Sequence, residues 1–138
     1  MDRGDPMTQR KNIYLCGRIN GCTDSECKDW RAVAKQLLHG HNCIDPMRRD
    51  YRGCENAYTY EIIEKDKEDI DNSEIILVWI DKPSFGTAME IMYANMNGQE
   101  IFVVNNIGEA LSPWVAYHAT LVFNTLQDAC EAINRGAF

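Results

Sequence analysis

The sequence has no apolar run approaching the roughly 18–20 residues of a membrane-spanning helix, so no membrane partner is expected. It also lacks a surplus of basic charge: 14 Lys and Arg face 21 Asp and Glu, for a net charge of −7. A nucleic acid polymer is held by clustered cations on its phosphates, and this balance argues against such a partner. CxxC pairs are absent as well. The six cysteines, Cys16, Cys22, Cys27, Cys43, Cys54 and Cys130, are scattered, and Cys22 and Cys27 with His39 and His41 fit no standard zinc spacing. Reduced thiols in a cytoplasmic setting are expected, with neither a disulfide framework nor a metal site. There is no internal repeat, linker or low-complexity segment, and the polar opening MDRGDPMTQRK has no signal-peptide core. Residues 1–11 are expected to form a flexible arm and residues 12–138 one domain.

What the chain does have is 45% hydrophobic and 25% charged residues over 138 positions, enough to bury a core. Short apolar runs alternate with amphipathic stretches. NIYLCG (12–17), HNCIDP (41–46), EIILVWID (74–81), EIFVVN (100–105) and TLVFN (120–124) read as strands. The helices are expected over 23–40, 57–73, 87–97, 113–118 and 126–135. The first has Thr23 and Glu26 at capping-box spacing, an apolar face of Trp30, Val33, Ala34, Leu37 and Leu38, and Gly40 as a stop. The stretch 47–56 reads as a surface loop whose Arg48, Arg49 and Arg52 are candidates to hold a small anion. Strands alternating with helices predict an α/β domain with a largely parallel sheet and right-handed crossovers.

In open parallel sheets ligands bind beyond the carboxyl ends of the strands. The residues expected there are Gly17, Arg18, Ile19, Asn20 and Gly21 after the first strand, Asp45 after the second, Asp81 through Gly86 after the third, and Asn105 and Asn106 after the fourth. Glu90 stands out because it opens an otherwise apolar helix, KPSFGTAMEIMYANMNG. It is either a solvated first-turn acid steadied by the helix dipole or a carboxylate facing a crevice. Asp66 interrupts the stripe Ile62–Asp66–Ile70, with Ile63 alongside, and so is either partly buried or at a cavity rim. Tyr14 is either a core aromatic or a hydroxyl that orients a carboxylate. Two carboxylates beside a polar pocket suit displacement at a sugar anomeric carbon, one as nucleophile and one handling the leaving group's proton.

The segments IYLCGRING (13–21), the acidic EKD before SEIILV (64–78), and DKPSFGTAMEIMYA (81–94) resemble the nucleoside 2-deoxyribosyltransferase family. That family includes the related 2'-deoxynucleoside 5'-monophosphate N-glycosidases and CMP hydrolases. The likeness runs from about residue 12 to 125. It implies a flavodoxin-like sheet of five strands and cleavage of an N-glycosidic bond through a covalent glycosyl-enzyme intermediate. On this resemblance Glu90 matches the nucleophile, Asp66 the acid assisting the base, Tyr14 the tyrosine that positions the nucleophile, and Asp81 an aspartate contacting the base. Ser84 and Ser112 match two phosphate-pocket serines, the second supplied by the neighbouring subunit of a dimer. The first-strand loop departs from the pattern, with Arg18 and Asn20 where the family has a hydroxyl and an arginine, but a cationic Arg18 still suits a 5'-phosphate, which its guanidinium can meet at two points. A small-molecule nucleoside or nucleotide is the implied ligand, and the carboxylates suffice without a cofactor. The alternatives are a catalytically silent nucleotide-binding or sensing module, and a flavodoxin-like domain that binds another ligand such as a flavin.

Overall fold

A computed structural model describes residues 9–136, so residues 1–8 of the expected arm and the last two residues lie outside the description. The five strands are β1 (Asn12–Gly17), β2 (Asn42–Ile44), β3 (Ile75–Ile80), β4 (Glu100–Asn105) and β5 (Leu121–Phe123). They form one sheet in the order β2-β1-β3-β4-β5, every neighbouring pair parallel. Five helices connect or follow them: α1 (Trp30–Leu37), α2 (Thr59–Asp71), α3 (Phe85–Met96), α4 (Pro113–His118) and α5 (Leu126–Asn134). This is a flavodoxin-like α/β domain.

Side-chain alternation along the strands sorts the core into two layers. Ile13 and Leu15, Ile75 and Leu77, and Phe102 and Val104 pack on one face with Trp30, Ala34, Ala129 and Ile133 from α1 and α5. Tyr14 and Cys16, Ile76 and Val78, and Ile101 and Val103 pack on the other with Ile70, Ile91 and Ala94 from α2 and α3. The three central strands are buried on both faces and therefore read as continuous apolar runs. The edge strands β2 and β5 have only three residues each, a short template for unwanted pairing.

Local capping sets the helix starts. Thr23 and Glu26 form the expected reciprocal box, Thr23 N–H donating to Glu26 Oε1 at 3.0 Å and Glu26 N–H to Thr23 Oγ1 at 3.2 Å. Ser84, Ser112 and Thr125 cap α3, α4 and α5 with their hydroxyls. Three expectations are corrected. The first helix enters through a π-helical turn, Ser25–Asp29, and ends at Leu37, so Gly40 does not stop it. The second strand ends at Ile44, because the Asp45 carboxylate accepts from Met47 N–H and starts a 3-10 turn at Pro46. Val33 and Ile63, expected on buried stripes, are both exposed. Arg31, a charged residue on α1, is only 1% exposed. Its guanidinium donates to the carbonyls of Cys27, Leu15 and Gly17, tying α1 to the end of β1, and it stacks over the Trp30 ring at 4.7 Å.

Candidate active site

The chain leaves β1 toward β2 and returns to place β3 on the other side of β1. At that switch point the connections after β1 and β3 diverge, and this is the place where open parallel sheets bind ligands. Tyr14 and Cys16 reach it from β1, Asp66 from α2, and Glu90 from α3. Tyr14 O–H donates to Glu90 Oε1 at 3.2 Å, and Cys16 S–H donates to the same oxygen at 3.2 Å. The Asp66 and Glu90 carboxyls face each other closely enough to share a proton. Three groups, the farthest 76 residues away in sequence, thus meet around one carboxyl.

The electrostatics of the cluster follow from burial. Removal from water, reinforced by the Asp66 charge, pushes the Glu90 carboxyl up to about 8. Burial also raises Asp66, while contact with Glu90 and then the Arg49 charge pull it back. Burial and the adjacent Glu90 lift both the Tyr14 hydroxyl and the Cys16 thiol well above their usual values, so each stays a proton donor at neutral pH. The expectation of a first-turn acid kept ionised by the helix dipole is therefore corrected. Helix α3 begins at Phe85, no acid lies in its first turn, and Glu90 is one turn further in, where the dipole has faded and desolvation dominates.

The remaining sequence-predicted residues divide into several environments. The Arg18 fork clasps Asp81, Nε donating to Oδ1 at 2.8 Å and Nη2 to Oδ2 at 2.9 Å, and this contact lowers Asp81 below the usual carboxylate range. The two groups expected to meet base and phosphate thus neutralise each other here. Gly17 lies against Trp30, where an added Cβ would come within 2.8 Å of Cζ2. Ile19 packs with Cys22, Cys27 and Met47. Asn20 lines a surface depression with residues 53–57, and Gly21 turns the loop at φ +75°. Asp45 caps the turn after β2 and pairs with Lys35 Nζ at 2.6 Å. Ser84 Oγ accepts from Thr87 N–H at 3.2 Å, and Gly86 lies inside the first turn of α3 with open space around its Cα. Ser112 caps α4 on the exposed surface.

Two participants were missed from sequence, Cys16 and Asp69, while Arg49 was expected to hold a small anion and instead meets two carboxylates. The basic cluster expected to hold an anion is engaged in ion pairs. Arg48 grips Asp69 with Nη1 at 3.0 Å and Nη2 at 2.7 Å, and Arg49 Nη2 sits 2.7 Å from Asp69 and 3.5 Å from Asp66. Arg52 pairs with Asp24 and Asp50. Burial alone would raise Asp69, but the two arginines outweigh it and hold its carboxyl low. Asp69 lies one helical turn beyond Asp66, and that i, i+3 spacing was the available signal.

Fold and site together define a flavodoxin-like α/β protein with a facing carboxyl pair at its topological switch point. No protein-family model matches the chain, and no curated protein matches it either. Solved structures do. The chain is similar to the 2-deoxyribosyltransferase of the psychrotolerant bacterium Bacillus psychrosaccharolyticus, with TM-score 0.70 and 19% identity over 85% of this chain and 88% of that one. It is also similar to a conserved protein from Enterococcus faecalis V583, with TM-score 0.69 and 15% identity over 91% and 98% of the two chains. A third is the Clostridium botulinum CMP N-glycosidase BcmB, with TM-score 0.60 and 13% identity over 90% and 99%. At these identities the likeness establishes a shared fold.

Proposed function

We propose that the protein cleaves the N-glycosidic bond of a nucleoside or nucleoside 5'-monophosphate, as a nucleotide N-glycosidase or a nucleoside 2-deoxyribosyltransferase, and belongs to the family its motifs resemble. The observation that carries this reading is the Glu90 carboxyl, held by two neutral donors and facing a second carboxyl closely enough to share a proton. The shared fold with a 2-deoxyribosyltransferase and a CMP N-glycosidase supports the same reading.

In this mechanism Glu90 bonds to the sugar C1' as the bond from C1' to the base nitrogen breaks. Its electron pair leaves with the base, which takes a proton from Asp66. Water or a second base then displaces Glu90 and returns a proton to Asp66. Tyr14 and Cys16 keep the nucleophilic oxygen aimed. A 5'-phosphate that engages Arg18 must compete with Asp81, whereas a nucleoside leaves that pair closed.

We place a second copy of the chain on the apolar surface of α3 and α4. Phe85, Met89, Met92 and Met96 recur along α3, all exposed, next to exposed Trp114 and Tyr117 on α4. Contiguous exposed apolar surface of this kind marks interfaces, and Ser112 sits at the start of α4 where a neighbouring site lies within its reach. Sedimentation of the full chain is expected to give a dimer or larger.

The deciding experiment incubates the protein with a panel of nucleosides and 5'-monophosphates, with and without a second free base, and separates the products. Free base alone identifies a hydrolase, and a new nucleoside identifies a transferase. Glu90→Ala is expected to lower base release by more than about 1,000-fold while the protein stays folded. Full activity in that variant refutes the mechanism. Thermal stabilisation by a nucleotide with no base released refutes the enzyme and leaves a binding module.

A further inference from the structure

The two facing carboxyls differ in their surroundings. Glu90 receives neutral donors, the Tyr14 hydroxyl and the Cys16 thiol, and makes no ion pair among the described residues. Asp66 has a cation, Arg49 Nη2 at 3.5 Å, as its one ion pair among the described residues. Arg49 is reached from the turn after β2, while Asp66 stands on α2, so the contact depends on the packing of these segments. The same arginine also touches Asp69, but Asp69 already has a two-point clasp from Arg48. Arg49 thus stands between two carboxylates, 2.7 Å from Asp69 and 3.5 Å from Asp66, and its charge acts on both. Other charged or titratable groups bear on the cluster too: Asp69 from α2, Arg48 acting on Tyr14, and Arg31 acting on Cys16.

We propose that Arg49 is a positioning residue that decides which of the two facing carboxyls holds the proton they share, keeping it on Glu90 and Asp66 ionised in the resting protein. A positive charge beside one member of a carboxyl pair favours the ionised form of that member, so the proton goes to the other. On the proposed function this arrangement is a stored proton transfer. One proton moves across from Glu90 to Asp66 with no change in net charge. That single step leaves Glu90 ionised for attack on C1' and Asp66 protonated to release the base. Reaction then requires the hold of Arg49 on Asp66 to loosen when substrate binds.

The test reads the carboxyls directly, in protein without substrate, by following the 13C carboxyl resonances of Asp66 and Glu90 through a pH titration. In the unaltered protein Glu90 is expected to carry the proton at pH 6–7, and an ionised Glu90 beside a protonated Asp66 there overturns the proposal. In Arg49→Gln the apparent upper pKa of the pair is expected to rise by about one unit, since a neighbouring cation lowers a carboxyl by about one to three. The proton should move toward Asp66 at the same time. Arg49→Lys keeps the charge and is expected to stay near the original titration. A folded Arg49→Gln with an unchanged titration, or a Lys variant shifted as far as Gln, overturns the proposal. Should Arg49→Gln fail to fold, Asp69→Asn leaves the Arg49 charge facing Asp66 unopposed and is expected to shift the pair downward; no shift there counts equally against it. The pH profile of kcat/KM supplies a second reading, with the alkaline limb expected to move upward in Arg49→Gln by the same amount. A protein that releases no base removes that profile and the proposed function, while the carboxyl titration still decides the role of Arg49.

Discussion

Replacing Glu90 with Gln is expected to stabilise the protein above neutral pH and to leave it unchanged in acid. In the unfolded chain a glutamate loses its proton near 4.5, whereas in the folded protein burial and Asp66 delay the loss to about 8. Between those values the folded state binds a proton that the unfolded state does not, so stability falls as pH rises through this window and levels off above it. At 1.36 kcal/mol per unit, the displacement from 4.5 to about 8 sets a ceiling of about 5 kcal/mol. Both causes penalise only the ionised carboxyl, and a neutral Gln relieves both, so a gain of about 3–5 kcal/mol at pH 8 is the expected size. The Gln side chain preserves the shape, accepting from Tyr14 and Cys16 through its oxygen and donating to Asp66 through its nitrogen. Urea unfolding of the two proteins at pH 5 and pH 8 measures the effect, with the midpoint difference expected to be small in acid and large at pH 8. A variant no more stable at pH 8, or one stabilised equally at both, refutes the desolvation argument.

Two further substitutions probe how the site is built. Gly17→Ala is expected to destabilise by about 1–3 kcal/mol, because the new Cβ meets the Trp30 ring, itself stacked on Trp79 at 5.8 Å; chemical denaturation checks this, and a neutral result shows that the stack moves freely. Ser84→Ala removes the cap of α3 and is expected to cost about 0.5–2 kcal/mol in thermal unfolding. If Ser84 also meets a substrate phosphate, KM for a 5'-monophosphate rises in that variant while KM for the matching nucleoside does not.

Much of this protein was already determined by its sequence. The apolar runs of β1, β3 and β4, the alternation with amphipathic stretches, and the capping hydroxyls at Thr23, Ser84, Ser112 and Thr125 act over a few residues, so one segment at a time reveals them. Glu90 and Asp66 were legible for the same reason, each being an acid that breaks a local apolar pattern. The tertiary structure alone decided their chemistry. Arg18 and Asp81 are 63 positions apart and Cys16 and Glu90 are 74 apart, and no short-range rule brings either pair together. Arg31 is polar by type, and the carbonyls at the end of β1 and in the π-helical turn, with the Asp45 carboxylate 3.6 Å from its Nε, make its burial favourable. The proton on Glu90 follows the same logic. Helix position suggested an ionised acid, but the ionisation of a carboxyl depends on how much water the packing removes and which charges it brings near, and those are properties of the assembled site.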